Sequence, residues 1–206
     1  MDNELIKVEQ MPEVASNSFL DKESFAQMCK VAKMFSESSL VPSNFQGKPQ
    51  DCLIAVDMAN RMGVSPMMVM QNLYVVKGKP SWSGQACMSL IQNCGRFKNV
   101  HPVYTGIKGT DNRGCYIEAT TIVDNTVIQG TEITIDMAKA EGWLSNSKWK
   151  NMPEQMLAYR AAAFFARVNC PDALMGMQLS DEIIDIEKEK PTIVDPFAEV
   201  KNVTTN

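Results

Sequence analysis

The chain has 206 residues, 45% of them hydrophobic and 21% charged, with a formal net charge of −4; this balance suits one globular body with tails and leaves enough apolar material for a core. It holds no run of about 18 apolar residues to cross a membrane, and the acidic start Met1-Asp2-Asn3-Glu4 is followed by no apolar stretch, so a cytoplasmic chain without a secretory signal is expected. Cys29, Cys52, Cys87, Cys94, Cys115 and Cys170 form no Cys-x-x-Cys pair, and His101 is the one histidine. Zinc therefore lacks its usual ligands, and the thiols read as reduced, mostly buried small hydrophobes.

The negative charge is unevenly placed. Residues 1–23 carry six acids against two bases, and residues 181–206 carry seven against three. Between them, 24–180 hold 15 basic and 11 acidic residues, a net +4. The reading is a loose acidic arm over 1–20, a mildly basic core over 21–180, and an acidic tail over 181–206 that is partly helical or disordered. Such tails serve solubility, or else compete with phosphates for the basic surface and dock a partner.

In chain order, Asp21 or Ser24 can cap a helix whose apolar positions Phe25, Met28, Ala32 and Phe35 follow helical spacing. Pro42, Gly47 and Pro49 break it, and a second helix is expected from Gln50 to Met62, stopped by Gly63. Ser65-Pro66 reads as an N-cap with proline at the first helical position, opening a short turn through Met70. Leu73–Lys77 is β-rich, Gly78-Lys79-Pro80 turns it, and Ser81-Trp82 continues beyond. Ser83 can cap a helix through Cys94, closed by Gly95. Val100–Ile107, Cys115–Val123 and Thr126–Ile135 are strand candidates with short polar connections, an antiparallel meander. Asp136–Glu141 is one or two helical turns ended by Gly142. Asn151-Met152-Pro153-Glu154 has the layout of an Asn N-cap with Glu three residues on, opening a helix from Glu154 to about Asn169 that Pro171 stops. Leu157, Ala161, Phe164, Phe165 and Val168 share one side of it, and Arg160 and Arg167, two turns apart, share another. Helices, then strands, then helices give an α+β class, with an antiparallel meander and hairpin sheet packed against helices.

Catalytic signatures are absent from the sequence. There is no Gly-x-x-x-x-Gly-Lys-Ser/Thr for nucleotide-driven chemistry and no Gly-x-Ser-x-Gly, and His101 reads as structural. A metal-dependent nuclease would need converging carboxylates such as Glu118, Glu132 and Asp136, several of which strand alternation sends toward solvent. Binding features are more numerous. Single-stranded nucleic acid asks for cations along its phosphates and flat rings against its bases. Lys77-Gly78-Lys79-Pro80-Ser81-Trp82 is a basic hairpin tip followed by an indole. Arg96-Phe97-Lys98 would place two cations on one strand face. Trp143 and Lys148-Trp149-Lys150 put two indoles and two cations ahead of the arginine helix. Each of these also has a plain reading, as core tryptophan or solvated lysine; together they favour nucleic acid. The fifteen methionines, dense at Met67-Met68-Val69-Met70 and Met175-Gly176-Met177, read first as core filling and second as an adaptable interface between subunits.

Longer segments carry a resemblance. They include Phe45-Gln46-Gly47-Lys48-Pro49, Met58-Ala59-Asn60-Arg61-Met62-Gly63, Val69-Met70-Gln71-Asn72-Leu73-Tyr74, Gly78-Lys79-Pro80-Ser81-Trp82-Ser83 and Cys94-Gly95-Arg96-Phe97. Met137-Ala138-Lys139-Ala140-Glu141-Gly142-Trp143 and Lys148-Trp149-Lys150-Asn151-Met152-Pro153-Glu154-Gln155-Met156-Leu157-Ala158-Tyr159-Arg160-Ala161-Ala162 are the strongest. Over about Val41 to Glu182 the chain resembles the RecT-type, Redβ-like single-strand annealing proteins of phages. The resemblance implies ATP-independent binding of single-stranded DNA and annealing of complementary strands to duplex in phage recombination, by a protein that is not an enzyme and requires no cofactor, though Mg2+ can modulate DNA binding. It implies homo-oligomeric rings or helical filaments in a bacterial host's cytoplasm, with a phage exonuclease and a host single-strand binding protein as partners; little room follows Glu182 for a separate partner-binding domain. Lys77, Lys79, Arg96, Lys98, Lys148, Lys150, Arg160 and Arg167 are the expected phosphate contacts, with Trp82 and Trp149 against the bases. The alternatives are a protein that protects single strands without annealing them, the nuclease, and a virion or adaptor component.

Overall fold

The computed structural model describes residues 21–186. The arm expected over 1–20 and the tail beyond 186 lie outside the described residues. Where the sequence suggests one body, the chain divides after Leu73 into two compact units.

The first unit is helical. Helix α1 (Lys22–Ser36) starts where Asp21 accepts the Ser24 N–H at 2.7 Å, the cap that the sequence offers. Helix α2 (Pro49–Met62) places proline in its first turn and ends at Gly63, whose φ of 64° lies in the left-handed region that glycine enters without steric cost. Ser65 caps α3 (Pro66–Asn72) through the Met67 N–H. α2 packs against both α1 and α3, and Met28, Ala32, Ala55, Val56, Ala59 and Met70 are buried. Met70 fills core; Met67 and Met68 are half-buried.

The second unit holds two small sheets and the remaining helices. β1 (Leu73–Val76) and β2 (Lys79–Trp82) form a hairpin whose two turn residues, Lys77 and Gly78, both have positive φ, as a turn matched to strand twist requires. The turn is therefore one residue earlier than Gly78-Lys79-Pro80, and Lys79 and Pro80 begin the second strand. β2 also pairs in parallel with β7 (Gln178–Leu179), giving the order β1-β2-β7. Ser83 caps α4 (Gly84–Asn93) through the Ala86 N–H at 3.0 Å.

The expected meander forms from β3 (Phe97–Thr105), β4 (Gly114–Thr121) and β5 (Val127–Gln129), all antiparallel. Its third strand is shorter than the β-propensity of 126–135 suggests. Gly130 donates to Ile117 O at 2.8 Å and sits so close to Phe165 that an added Cβ would lie 3.0 Å from its ring. The chain then re-pairs with β4 farther along as β6 (Ile133–Thr134). α5 (Ile135–Ala140) follows, capped by Thr134.

Ahead of the arginine helix, a 3₁₀ turn (Trp143–Ser145) leads into the short helix α6 (Lys148–Asn151). Asn151 thus ends one helix and does not cap the next. α7 (Pro153–Asn169) begins at Met152 without a side-chain cap, and Glu154 is engaged elsewhere: it accepts from Arg113 at 2.6 Å and pairs with Lys108 at 3.3 Å. α7 lies across β4 and against α4. Its alanines at 161–163 and 166 are buried and allow close approach, and Phe165 meets Phe97 edge-on at 5.3 Å. Val168 is exposed, contrary to its expected place on the apolar side. After a 3₁₀ turn (Pro171–Leu174) and β7, the described chain ends in α8 (Ser180–Ile186). The acids Asp181, Glu182 and Asp185, which open the expected tail, are buried in α8. All six cysteines are free, with Cys52, Cys87, Cys115 and Cys170 buried; burial pushes the Cys115 thiol up to about 11 and that of Cys170 up to about 12.

Candidate nucleic-acid interface

The cations and rings singled out in the sequence all fall in the second unit, in three settings. The first is an interior cluster. Trp149 is 2% exposed and Arg160 4%. The Arg160 guanidinium lies 4.1 Å from the Trp143 ring centre and 5.9 Å from that of Trp149, and the two indoles are 5.5 Å apart. Arg160 pairs with Glu182 at 3.4 Å and with Asp185, which also accepts from Trp149 Nε1 at 3.0 Å and Asn146 Nδ2 at 3.1 Å. Glu182 further accepts from Arg167 and from the Leu179 N–H at 2.9 Å. Burial lowers the Arg160 pKa, and the two carboxylates oppose that shift by favouring the charged form. The buried guanidinium and both buried carboxylates are paired inside the protein, the condition under which buried charge is tolerated.

The expectation that Arg160 and Trp149 meet DNA is therefore corrected: they hold α8 to α6 and α7 and present no surface to a strand. Trp82 is corrected on the same ground. It has no exposed surface, and its Nε1 donates to Leu174 O at 3.1 Å. Two-turn spacing did place Arg160 and Arg167 on one side of α7, but that side faces the α8 carboxylates. Arg167, at its edge, keeps 40% of its side chain exposed.

The second setting lies at the C-terminal ends of α4 and α7. Arg96 pairs with Asp172 at 2.8 Å and donates to Asn169 O at 3.3 Å. Lys98 reaches Asn125 Oδ1 at 2.6 Å, so the two cations flanking Phe97 take different partners.

The third setting is an open groove of about 490 Å³. One wall is β1 (Tyr74, Val75, Val76) and the other is α8 (Ser180, Asp181, Ile184). The start of α4 (Ser83, Gly84, Gln85), Lys148 of α6 and Tyr159 of α7 complete it. Lys77 and Lys79 sit at the tip of the hairpin that builds the β1 wall, and Lys150 is exposed two residues past Lys148. Lys148 pairs with Asp181 at 2.9 Å while keeping half of its side chain exposed. Lys79 and Lys150 have no ion-pair partner among the described residues. Apolar walls with a cationic rim are what stacked bases and a phosphate backbone together require. Sequence reasoning missed Tyr74, Tyr159, Asp181 and Ile184. Tyr74 stands in a family-like segment without an adjacent cation to flag it, Tyr159 directly precedes Arg160 but was passed over for the arginine, and the other two were assigned to the tail.

The carboxylates of the nuclease alternative are dispersed: Glu118 accepts from Gln129 at 3.1 Å, Glu132 accepts from Thr105, and Asp136 lies in the first turn of α5. Among the described residues no three histidine, cysteine or carboxylate side chains are grouped to hold a metal ion, and no helix is long and apolar enough to cross a membrane.

These features define an α+β protein with an open groove lined by two tyrosines, Lys148 and apolar side chains. The RecT family profile matches residues 32–194, most of the sequence, and the chain belongs to the RecT family: it is a RecT-type protein of DNA recombination and single-strand annealing. No curated protein and no solved structure matches it.

Proposed function

We propose that this chain anneals complementary strands without ATP, and that the strand it holds follows the groove between β1 and α8. The observation that carries this reading is one open groove that holds Lys148 and two tyrosines, with the hairpin of its β1 wall carrying Lys77 and Lys79 at the tip, while Trp82, Trp149 and Arg160 are enclosed. Lys77, Lys79, Lys148 and Lys150 neutralise phosphates and release counterions, so affinity falls with salt. Backbone contacts carry no sequence information, which suits a protein that must pair any sequence with its complement. Arg96, Lys98 and Arg167 extend the path toward the far end of α4, about 15 Å away for ten residues at helical rise. Several copies assembled along one strand turn weak binding per subunit into tight holding. A partner exonuclease and a host single-strand binding protein belong to the same reading.

Two fluorescently labelled complementary oligonucleotides test it. Duplex formation accelerated by the protein, equally with and without ATP, is the expected result. Binding with no acceleration would make this a protecting protein instead, and cleavage of labelled DNA with Mg2+ or Mn2+ would make it a nuclease.

A further inference from the structure

One ring in the groove is fixed before any ligand arrives. Tyr159 projects from α7 onto Gly84, the first residue of α4, and an added Cβ at Gly84 would lie 2.3 Å from Tyr159 Cδ2 and 2.6 Å from Cγ. The Gly84 backbone is not left-handed, so conformation does not demand glycine there. Space does: any side chain would displace the ring. Gln155 Nε2 donates to the Tyr159 hydroxyl at 2.7 Å and holds the ring's outer end. The ring is thus seated against backbone while it still lines open space. Its rotamer freedom is surrendered on folding and need not be lost again on binding, the advantage of a preorganised contact.

We propose that Tyr159 is the stacking platform for a base of the bound single strand, with Lys148 at the adjoining phosphate. The proposal rests on reading the groove as the strand path and adds what that path does with a base. The surroundings favour a nucleotide over a peptide. Val75 and Ile184 offer apolar walls, Lys148 is the cation of the lining, and the hairpin that builds the β1 wall carries Lys77 and Lys79 at its tip, which together suit a polyanion. Asp181 neutralises Lys148 in the free protein at 2.9 Å, and a phosphate competes with it for that ammonium. Stacking is sequence-tolerant because every base has a π face, so a tyrosine platform serves an annealing protein without biasing it.

The test compares a thymidine oligonucleotide with an abasic one of equal length and charge, binding each to the wild-type chain, Tyr159→Phe and Tyr159→Leu. The wild type is expected to prefer the base-bearing strand by about tenfold or more. Tyr159→Phe keeps that preference, and Tyr159→Leu reduces it by about tenfold while its affinity for the abasic strand barely changes. An undiminished preference in a folded Tyr159→Leu protein, checked by circular dichroism and thermal unfolding, overturns the platform even if overall affinity falls. Photocrosslinking of the wild-type chain to a 5-iodouracil oligonucleotide gives an answer should the leucine variant not fold. A crosslink on Tyr159 supports the proposal. Crosslinks on other groove residues alone reject the platform and leave the strand path standing; crosslinks confined to residues outside the groove reject both.

Discussion

The cluster around Arg160 and the groove beside α4 are assembled from the same kinds of side chain, and Lys148 and Trp149, adjacent in sequence, belong one to each. Both combine cations, aromatic rings and a carboxylate of α8. The cluster gives its cation two carboxylates and an indole face, so Arg160 is fully satisfied and dry. The groove gives Lys148 one carboxylate and half its surface in water. A cation whose charge is met from within stabilises the fold; one only partly met is available to a phosphate. The number of carboxylates that α8 turns toward each cation separates the two roles.

The sharpest way to break this comparison is Arg160→Ala. Removing the cation leaves Asp185 buried without its ion-pair partner and Glu182 with Arg167 alone, and a loss of about 3–5 kcal/mol in unfolding free energy is expected by denaturant titration. A variant of wild-type stability with weakened DNA binding would instead return Arg160 to the interface. Replacing Lys77, Lys79, Lys148 and Lys150 together by alanine should do the opposite. Single-strand affinity should fall alike for all sequences, the slope of log K against log salt should drop by about 0.7 for each phosphate no longer neutralised, and the melting temperature should move little. Trp149→Phe keeps a ring but removes the donor to Asp185; a cost of about 1–3 kcal/mol in stability is expected, with the salt slope unchanged. Asp181→Asn has the smallest effect. Freed of a partly exposed ion pair worth about 0.2–1 kcal/mol, Lys148 should bind single strands up to about fivefold tighter by fluorescence anisotropy. Weaker binding would mean that Asp181 orients Lys148 for the strand rather than competing with it.

Much of the local structure was legible because its causes are local. Asp21, Ser65 and Ser83 cap the helices they were expected to cap, Gly63 ends α2, and the 73–82 hairpin forms, since each depends on a few neighbouring groups. The misreadings fall where a distant residue intervenes. Asn151-Met152-Pro153-Glu154 has a capping layout, but Arg113 and Lys108 from the β3–β4 connection engage Glu154. The strand over 126–135 is interrupted after Gln129, where Phe165 from α7 packs against the backbone of Gly130. The two-residue strand β7 lacks any periodicity of its own and exists because β2 offers it an edge.

By itself the sequence determined the family, the α+β class, the helix boundaries set by caps and glycines, and the supply of cations and rings in the body. Tertiary structure alone decided which of them face water. Lys148-Trp149-Lys150 looks uniform as a string, yet α8 returns from more than 30 residues farther along to bury its indole and leave its lysines exposed. The acids that do this, Asp181, Glu182 and Asp185, read as a solvated tail because burial of a carboxylate is offset only by partners that the sequence does not bring near. Tyr159 becomes a groove surface by the same logic: its seat is Gly84, and only folding brings the two together.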